Sequence, residues 1–337
     1  MAQADNYFPS QNVSVWYQKE TTVGDQPDDA GLKKLQTTSF TIPESSVPLE
    51  LSAMRSGQFV TTASQGHHAE GTKMWTFETT LRGTPDSVLL ATEAVFEDAS
   101  SEARLENNYE FPHSTYKNGA SSASTFEIRF ENAGADASHN NVVCQGCVGT
   151  GFTLNSDIGS EGGELVCTIQ WATAFMPNSG TDADDAITSP AYDTGTPKNI
   201  RNLDASNCLI DSGNEMVIAS YELSVSRTIE RIHYKDSTSG TFEPFGYAMV
   251  GGFEVTGSVT VIRNDDVNDL LAKFYDSNTV AINIGESSNF NIDLNKAFIN
   301  EPSIDNGGAV LMETIPFTVV GEDDISSATK MVGITIA

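Results

Sequence analysis

The chain has 337 residues, and a hydrophobic content of 39% with 17 Phe, 9 Tyr and 3 Trp excludes wholesale disorder. Its length allows two domains of ordinary size, each with its own core. With 18 Lys and Arg against 46 Asp and Glu, the net charge is −28, which argues against a nucleic-acid-binding surface because such a surface must be cationic.

The amino-terminal stretch, residues 1–35, contains one short strand pattern followed by turn residues. Little in this stretch could form a core. We interpret it as an arm that becomes ordered against another subunit.

Residues 36–176 have the pattern of a first β unit. Alternating apolar and polar residues predict strands at 38–42, 47–55, 74–82, 126–130, 142–154 and 165–175. After the third of these, Thr84 and Pro85 predict the start of a short helix, because Thr is a good cap and Pro favours the first helical position. The segment 100–123 is rich in Ser, Asn, Glu and Gly, and it predicts an exposed loop.

Residues 177–207 have several Pro, Asp, Gly and Thr residues and predict a linker or long loop. Residues 208–337 have the pattern of a second β unit, with one helix at 265–275 and strands near 215–230, 242–263, 279–284, 289–294, 309–320 and 330–336. Neither unit alternates strands with helices. The chain is therefore predicted to be mainly β, with two tandem antiparallel β-sandwich or barrel units, each flanked by one short helix.

Three sequence markers recur in the same order in the two units. The helix residues 89–91 (LLA) recur at 270–272, an offset of 270 − 89 = 181. Residues 49–55 resemble 221–227 (221 − 49 = 172), and the segment beginning at Gly162 resembles the one beginning at Gly307 (307 − 162 = 145). The ordered set predicts an internal duplication with extra loops in the first copy, whereas two long copies do not make a solenoid.

No residue pattern indicates an enzyme. The Gly-Xaa-Ser-Xaa-Gly elbow, the phosphate-binding glycine loop and the His-Glu-Xaa-Xaa-His helix are absent from the sequence. A hydrolase that uses carboxylates such as Asp157 and Glu164 is a remaining alternative, although no pattern pairs them.

A metal site is a second alternative to a purely structural reading. Cys144 and Cys147 have the spacing of a zinc half-site, which would need two further ligands from Cys167, Cys208 or His139. Two buried cysteines on a strand explain the same spacing. We expect neither a metal nor a cofactor.

The sequence also bears on the cellular compartment. No stretch holds the about 20 apolar residues of a membrane-spanning helix, and residues 1–6 lack the features of a signal peptide. Four cysteines make no dense disulfide framework. We expect a protein without a membrane partner, made in a cytoplasm and either kept there or carried out inside a particle.

Several segments resemble the tail tube proteins of long-tailed (siphovirus-type) bacteriophages. Residues 19–27 (KETTVGDQP) resemble that family's opening "KETT.G..P" segment, and residues 86–90 (DSVLL) resemble its "D.LL" helix. Residues 250–260 (VGGFEVTGSVT) and 313–319 (ETIPFTV) continue the resemblance in the second half. The order of these loose motifs carries the likeness, and the cysteine pair and the inserted loops of the first half depart from it.

The resemblance implies β-sandwich or barrel units whose inner strands join across subunits into the wall of a hollow tube. Single-unit members form stacked hexameric rings, so a duplicated unit implies a trimer with pseudo-sixfold symmetry. It further implies contacts with the tape measure, tail terminator and tail tip proteins. The protein would be assembled in the host cytoplasm, become part of the virion tail and let double-stranded DNA pass during ejection without binding it specifically.

An acidic bore would let DNA slide, because the duplex carries one negative charge per about 1.7 Å. The candidates to line such a bore are polar members of the alternating strands, namely Glu50, Glu78, Glu127, Glu222 and Glu254. Each of these side chains has the alternative of facing solvent outside a tube, or a neighbouring subunit.

The alternative function is a tandem β-sandwich binding or adhesion module on a phage or cell surface. Such a module would recognise a glycan or a receptor. It predicts an exposed aromatic cluster on loops, for which the candidates are Trp16, Tyr109, Phe111, Tyr116 and Tyr192.

Overall fold

The computed structural model describes residues 13–21, 23–24, 33–41, 43, 49–51, 66–68, 74–110, 124–130, 141–179, 195–211, 213–235, 242–264, 270–286, 289–324 and 328–336. The protein is mainly β, with 60% strand and 12% helix among the described residues. Within the described ranges, 18 strands form one hydrogen-bonded network and two more form a separate pair. The predicted class, a mainly β protein with a large antiparallel sheet and few helices, is confirmed.

We use "first half" for residues 13–179 and "second half" for residues 209–336. The strands of the first half are β1 (Val13–Lys19), β2 (Lys33–Lys34), β3 (Thr37–Phe40), β4 (Leu49–Leu51), β5 (Gly66–His68), β6 (Trp75–Arg82), β7 (Glu102–Glu106), β8 (Ser124–Phe130), β9 (Asn141–Asp157), β10 (Val166–Thr173) and β11 (Asn178–Ser179). Those of the second half are β12 (Leu209–Ile210), β13 (Asn214–Glu215), β14 (Val217–Lys235), β15 (Phe242–Ile262), β16 (Thr279–Glu286), β17 (Phe290–Ile299), β18 (Ser303–Asp305), β19 (Met312–Val319) and β20 (Lys330–Ile336).

In the described ranges, each half has one α-helix, α1 (Pro85–Phe96) in the first and α2 (Leu270–Asp276) in the second. The predicted start of α1 is confirmed, because Thr84 Oγ1 accepts a hydrogen bond from Ser87 N at 3.2 Å. Among the described residues, neither helix has the length and apolar character needed to cross a membrane.

β9 belongs to both sheets of the first half, which is β-sandwich-like. Its first part pairs with β8 and β11, and its second part pairs with β10 and β14. Between the two sheets, the ring of Phe126 meets those of Phe77 and Trp171 edge-to-face, with centroids 5.3 and 4.7 Å apart. Such aromatic contacts, removed from water, supply much of the stability of a core.

In the second half, β17 and β18 together correspond to β9, because they also contribute to both sheets. Residues 290–294 pair with β16 and β20. Residues 297–299 and β18 pair with β19, and residues 297 and 298 also pair with the start of β16. The side chains between these two layers, including Ile292 and Phe317, are buried in the same continuous core as those of the first half.

Six strand pairings of the first half recur in the second. They are β1–β8, β3–β6, β6–β10, β9–β10, β8–β9 and β9–β11. Their counterparts are β12–β16, β14–β15, β15–β19, β17/β18–β19, β16–β17 and β17–β20. All are antiparallel, and the corresponding strands follow the same order along the chain.

Local irregularities recur as well. Two register shifts have counterparts in the other half: the shift between Thr37 and Ser39 matches that between Ile218 and Ser220, and the shift between Ser124 and Phe126 matches that between Val280 and Ile282. A third shift lies in the pairing of β9 with β10, between the opposed pairs Thr153/Thr168 and Gly149/Trp171. The corresponding shift lies in the pairing of β17 and β18 with β19, between the opposed pairs Ser303/Thr314 and Ile299/Phe317. Bulges are specific local features, so these strand pairs share their irregularities as well as their order.

These counterparts correct the alignment read from the sequence. Thr80 is opposite Thr168 as Thr260 is opposite Thr314, so the offset between these strands is 260 − 80 = 180, whereas the offset of 181 read from the sequence applies to the helix residues. The match of residues 49–55 with 221–227 is wrong for Leu49–Leu51, which lies in the separate two-stranded sheet, whereas β3 is the counterpart of the start of β14.

Two strand pairs connect the halves. β9 pairs with β14 over seven residues, and β7 pairs with β20 near the carboxyl terminus of the chain. The segments predicted as separate β units at 36–176 and 208–337 are therefore continuous through their sheets.

Residues 102–106, predicted as part of an exposed loop, form β7 instead. Ala103 and Leu105 are buried and alternate with polar residues. Two apolar residues in a polar stretch are a weak signal, and the pairing partner lies at the other end of the chain. The prediction of a loop over all of 100–123 is therefore wrong for β7, and residues 111–123 lie outside the described ranges.

Parts of the predicted arm and linker also pack on the core. Val15 and Trp16 of β1 are buried, and β1 pairs with β8 over seven residues. In the segment predicted as a linker, Lys198 N donates to Gly83 O at 2.9 Å, and Ile200 is buried. The expectation that residues 1–35 contribute little to a core is wrong for β1.

Candidate functional site

The central strands β6, β10, β9, β14, β15 and β19 present one polar face. Opposed residues of an antiparallel pair project to the same side of the sheet. One row of opposed residues consists of hydroxyl side chains alone, in the order Thr80, Thr168, Thr153, Ser224, Thr256 and Thr318. We call the surface formed by this row and the parallel rows beside it the open face.

Hydroxyl groups on the open face hydrogen-bond to one another across strands. Thr168 Oγ1 donates to Thr80 Oγ1 at 3.4 Å, and Thr260 Oγ1 and Thr314 Oγ1 share a hydrogen bond of 3.0 Å. These two pairs occupy corresponding positions in the two halves. The residues that alternate with them are buried on the other side of the sheet, so the open face is a polar surface backed by a core.

Three of the five glutamates predicted to line a bore project from the open face, and all three are exposed. Glu78 and Glu254 lie at the two ends of one row, which runs through Gln170, Gly151 and Ser226. The third, Glu222, is opposite residues of β9 and β15. The register therefore brings together residues that are far apart in sequence.

The structure does not bring the other two candidates to the open face. Glu50 lies on β4 in the separate two-stranded sheet. Glu127 lies on β8, in the other sheet of the sandwich, opposite Trp16 and Val143. Alternation identifies a strand with one polar side, but it does not identify the sheet that the strand joins.

The open face carries an excess of negative charge. Among the opposed pairs described between Arg82 and Glu254, the ionisable residues are the acids Glu78, Asp157, Glu222 and Glu254 and the base Arg82. The base is neutralised, because Arg82 Nη2 lies 2.9 Å from Glu164 Oε2.

The two carboxylates of the hydrolase alternative lie along one shallow groove at the edge of the open face. Glu164 accepts hydrogen bonds from Arg82 at 2.9–3.3 Å. Asp157 Oδ1 accepts one from Gly159 N at 2.8 Å. The first contact joins the end of β6 to the hairpin between β9 and β10, and the second lies within that hairpin.

The aromatic candidates of the adhesion alternative do not form an exposed cluster where they are described. Trp16 is buried, and its Nε1 donates to Ser14 Oγ at 2.8 Å. Tyr109 is half-buried and accepts from Arg227 Nη1 at 3.0 Å, and burial raises its pKa to about 12. The other three, Phe111, Tyr116 and Tyr192, lie outside the described residues.

The cysteines lie in the core. Cys144, Cys147, Cys167 and Cys208 are all buried with free thiols. Burial raises the pKa of Cys144 to about 12 and that of Cys167 also to about 12. In the described part of the chain, no three His, Cys, Asp or Glu side chains are grouped for a metal ion.

Sequence reasoning missed the role of Glu20 in the KETT segment. This buried carboxylate accepts from Gly24 N at 2.7 Å and from Gly146 N at 2.6 Å. Gly146 has φ of 61° and lies where β9 passes from one sheet to the other. Glu20 therefore fixes the bend that directs β9 onto the open face.

A second missed residue is Arg227 of β14, a buried arginine at a bulge. Its Nη2 donates to Ala94 O at 2.9 Å and to Glu97 Oε1 at 3.0 Å, and its Nε donates to Gly149 O at 3.0 Å. A cation at a helix C-terminus is favourable. This residue of the second half therefore caps α1 of the first.

No family model and no curated protein matches the chain, so the case for its function rests on its own geometry.

Proposed function

We propose that the chain is the tail tube protein of a long-tailed bacteriophage, a structural subunit of stacked rings through which DNA leaves the virion. The observation that carries this proposal is the open face, an acidic and hydroxyl-rich sheet surface that crosses both halves of one chain. A surface of this kind suits the wall of a water-filled conduit, because its apolar side faces a protein core.

The electrostatics of the open face suit passage without binding. Carboxylates repel the phosphates of the duplex, and a protein that holds DNA does so with Lys and Arg. The Ser and Thr hydroxyls hydrogen-bond to each other and carry no charge. Arg82, the cation in these rows, is occupied by Glu164.

The recurring pairings of the two halves support an internal duplication. A ring built from such chains would contain two equivalent units per subunit, so three chains would give pseudo-sixfold symmetry. The contacts between neighbouring chains of such a ring are heterologous, which means that two different surfaces meet. Heterologous contacts close into rings or extend into filaments. The tape measure, tail terminator and tail tip proteins are the further partners in this proposal, and the virion tail is the location.

The first test is the form of the purified protein at high concentration. We expect rings or hollow tubes in negative-stain images, with three chains per ring in class-averaged end views. A protein that stays monomeric at every concentration would refute the proposal.

The second test reverses the charge of the open face. Tubes with Glu78→Lys, Glu222→Lys and Glu254→Lys should retain linear double-stranded DNA in a co-sedimentation assay at low salt, whereas wild-type tubes should not. Binding should weaken steeply as salt rises, because bound cations release counterions from DNA.

A matched control places lysines on exposed acids away from the open face, at Glu215, Asp276 and Asp323. This variant has the same net charge as the first. DNA retention by both variants to the same extent would show that the bore is not formed by the open face.

A further inference from the structure

Two apolar side chains of the second half are exposed although their counterparts in the first half are buried. Leu154 and Leu165 are 0% exposed, whereas Ile304 is 53% exposed and Leu311 is 41% exposed. The correspondence follows from the backbone.

The hydrogen bonds define these counterparts. Leu154 is opposite Cys167, and Ile304 is opposite Glu313, which takes the place of Cys167. Gly83 N donates to Leu165 O at 2.6 Å, and Arg263 N donates to Leu311 O at 3.0 Å. The β9–β10 hairpin of the first half and the β18–β19 hairpin of the second half therefore have corresponding backbone pairings. They differ in the chain segments that pack over them.

The cover in the first half comes from the second half of the same chain. The outer edge of β9 pairs with β14, which sets Leu223 opposite Leu154. Residues 198–200 cover the neighbouring position, since Leu165 N donates to Lys198 O at 2.8 Å. Ile304 and Leu311 receive no such cover from the described part of the chain.

Two sheet edges are left with one neighbour each. Among the described strands, β18 pairs with β19 alone, and β3 pairs with β6 alone. An exposed edge with apolar side chains is a template for pairing with another chain. β3 is the counterpart of β14, the strand that covers β9, and it shares the register shift of β14.

We propose that β18 of one chain pairs with β3 of a second copy of this chain and so repeats the β9–β14 junction between molecules. The inference rests on the proposed function and names the seam through which such a ring closes. The internal junction sets the register. Asn155 is opposite Glu222, and their counterparts are Asp305 and Thr41, so Asp305 of one chain lies opposite Thr41 of the next.

The position of Thr41 is fixed by its own hydrogen bond. Thr41 N donates to Glu78 O at 3.3 Å, and Glu222 is opposite Ser258, the counterpart of Glu78. Thr41 and Asp305 are both exposed. The paired edges therefore bring no like charges together at this point.

The test is a disulfide between chains. Opposed residues of an antiparallel pair have Cβ atoms about 4.5–5.5 Å apart, close to disulfide reach. Under mild oxidation the Asp305→Cys/Thr41→Cys variant should form covalent multimers on a denaturing gel, reversed by reductant. Mixed single variants should give a dimer and nothing larger. The matched control is Asp305→Cys/Thr76→Cys, and it should give no multimers, because Thr76 is exposed on β6, the strand that pairs with the other edge of β3.

A second variant breaks the seam instead of fixing it. Ile304→Asp should abolish association in analytical ultracentrifugation while the circular dichroism spectrum stays unchanged. Ile158→Asp places the same substitution at a residue of similar exposure, 48%, on the hairpin of the first half, and it should leave association intact.

The outcomes separate the two proposals. Rings or tubes whose cysteine pair does not cross-link would overturn this seam and leave the proposed function standing. Cross-linked multimers that never form a hollow particle would support the seam and refute the tube. Association that survives Ile304→Asp, or that is lost equally with Ile158→Asp, would also overturn the seam.

Discussion

Glu313 shows how one residue differs between corresponding positions of the halves. It takes the place of Cys167 and is buried, and its Oε2 lies 3.7 Å from Arg263 Nη1. Burial raises the pKa of Glu313, and Arg263 opposes this only in part. A carboxyl whose pKa is raised on folding binds a proton more tightly in the folded state, so its ionised form lowers stability.

We expect Glu313→Gln to be more stable than wild type at pH 7. The penalty of the wild-type carboxylate grows as pH rises from the ordinary Glu value to the raised one, so the difference should shrink to zero as pH falls below both. Urea unfolding at pH 4 and pH 7 measures it. Glu301→Gln, at an exposed position, is the control, and a difference that persists at pH 4 would contradict this account.

At the scale of single residues, sequence reasoning found side chains but not their partners. The spacing of Lys19–Glu20 and Gly24 drew attention to that segment, yet Gly146, the second donor to Glu20, lies more than a hundred residues away. The alternation of apolar and polar residues predicts the three glutamates of the open face, because it indicates which side of a strand is polar. Glu50 and Glu127 satisfied the same rule and belong to other sheets.

At the scale of elements, the bend in β9 decides how the two sheets of the first half are joined. Gly146 adopts φ of 61°, and a Cβ placed on it would lie 2.4 Å from Phe175 Cδ2. Gly162 also has a positive φ, of 70°, but nothing lies within 4 Å of a Cβ there. A side chain at Gly162 would therefore meet backbone strain alone, whereas one at Gly146 would meet both backbone strain and steric crowding.

We expect Gly162→Ala to cost about 1–2 kcal/mol, the penalty of a left-handed conformation. Gly146→Ala should cost about 1–3 kcal/mol more, because the methyl group must displace a packed ring. Thermal unfolding followed by circular dichroism gives both values. Equal losses would mean that Phe175 moves aside without cost.

Most strands were predictable because their burial alternates along the chain. The patterns of the second half predict the long strands close to their observed bounds, and Thr84 and Pro85 predict the start of α1. The helix predicted at 265–275 ends close to the observed end of α2, whereas residues 265–269 lie outside the described ranges. β7 was not predicted, because only two apolar residues indicate it and because the strand that pairs with it, β20, is distant in the sequence. The match of residues 49–55 with 221–227 was wrong for a related reason, since similar residues do not identify the sheet that a strand joins.

At the scale of the whole molecule, Arg227 and two strand pairs hold the halves together. The guanidinium is fully buried against Glu97, whose side chain is 12% exposed. Removing one member of a buried ion pair leaves the other charge without compensation. No sequence pattern predicts this contact, because it depends on the bulge that turns Arg227 inward.

We expect Arg227→Met to lower the free energy of unfolding by about 3–5 kcal/mol. All three Trp residues, Trp16, Trp75 and Trp171, lie in the first half, so their fluorescence reports that half and circular dichroism reports the whole chain. The two transitions should coincide in wild type. Arg104→Met, which removes an exposed pair with Glu102, should cost less than about 1 kcal/mol. A cost for Arg227→Met as small as that of this control would contradict the role given to Arg227.

The β9–β14 pairing has a kinetic consequence for any assembly that repeats it. Because both strands belong to one polypeptide, they meet at a local concentration set by the connecting chain and not by the protein in solution. This junction forms during folding as a first-order step and is insensitive to dilution. In an assembly that repeats the junction, only the contacts between chains depend on concentration. A pair of separate single-unit proteins would need a second-order encounter at every contact.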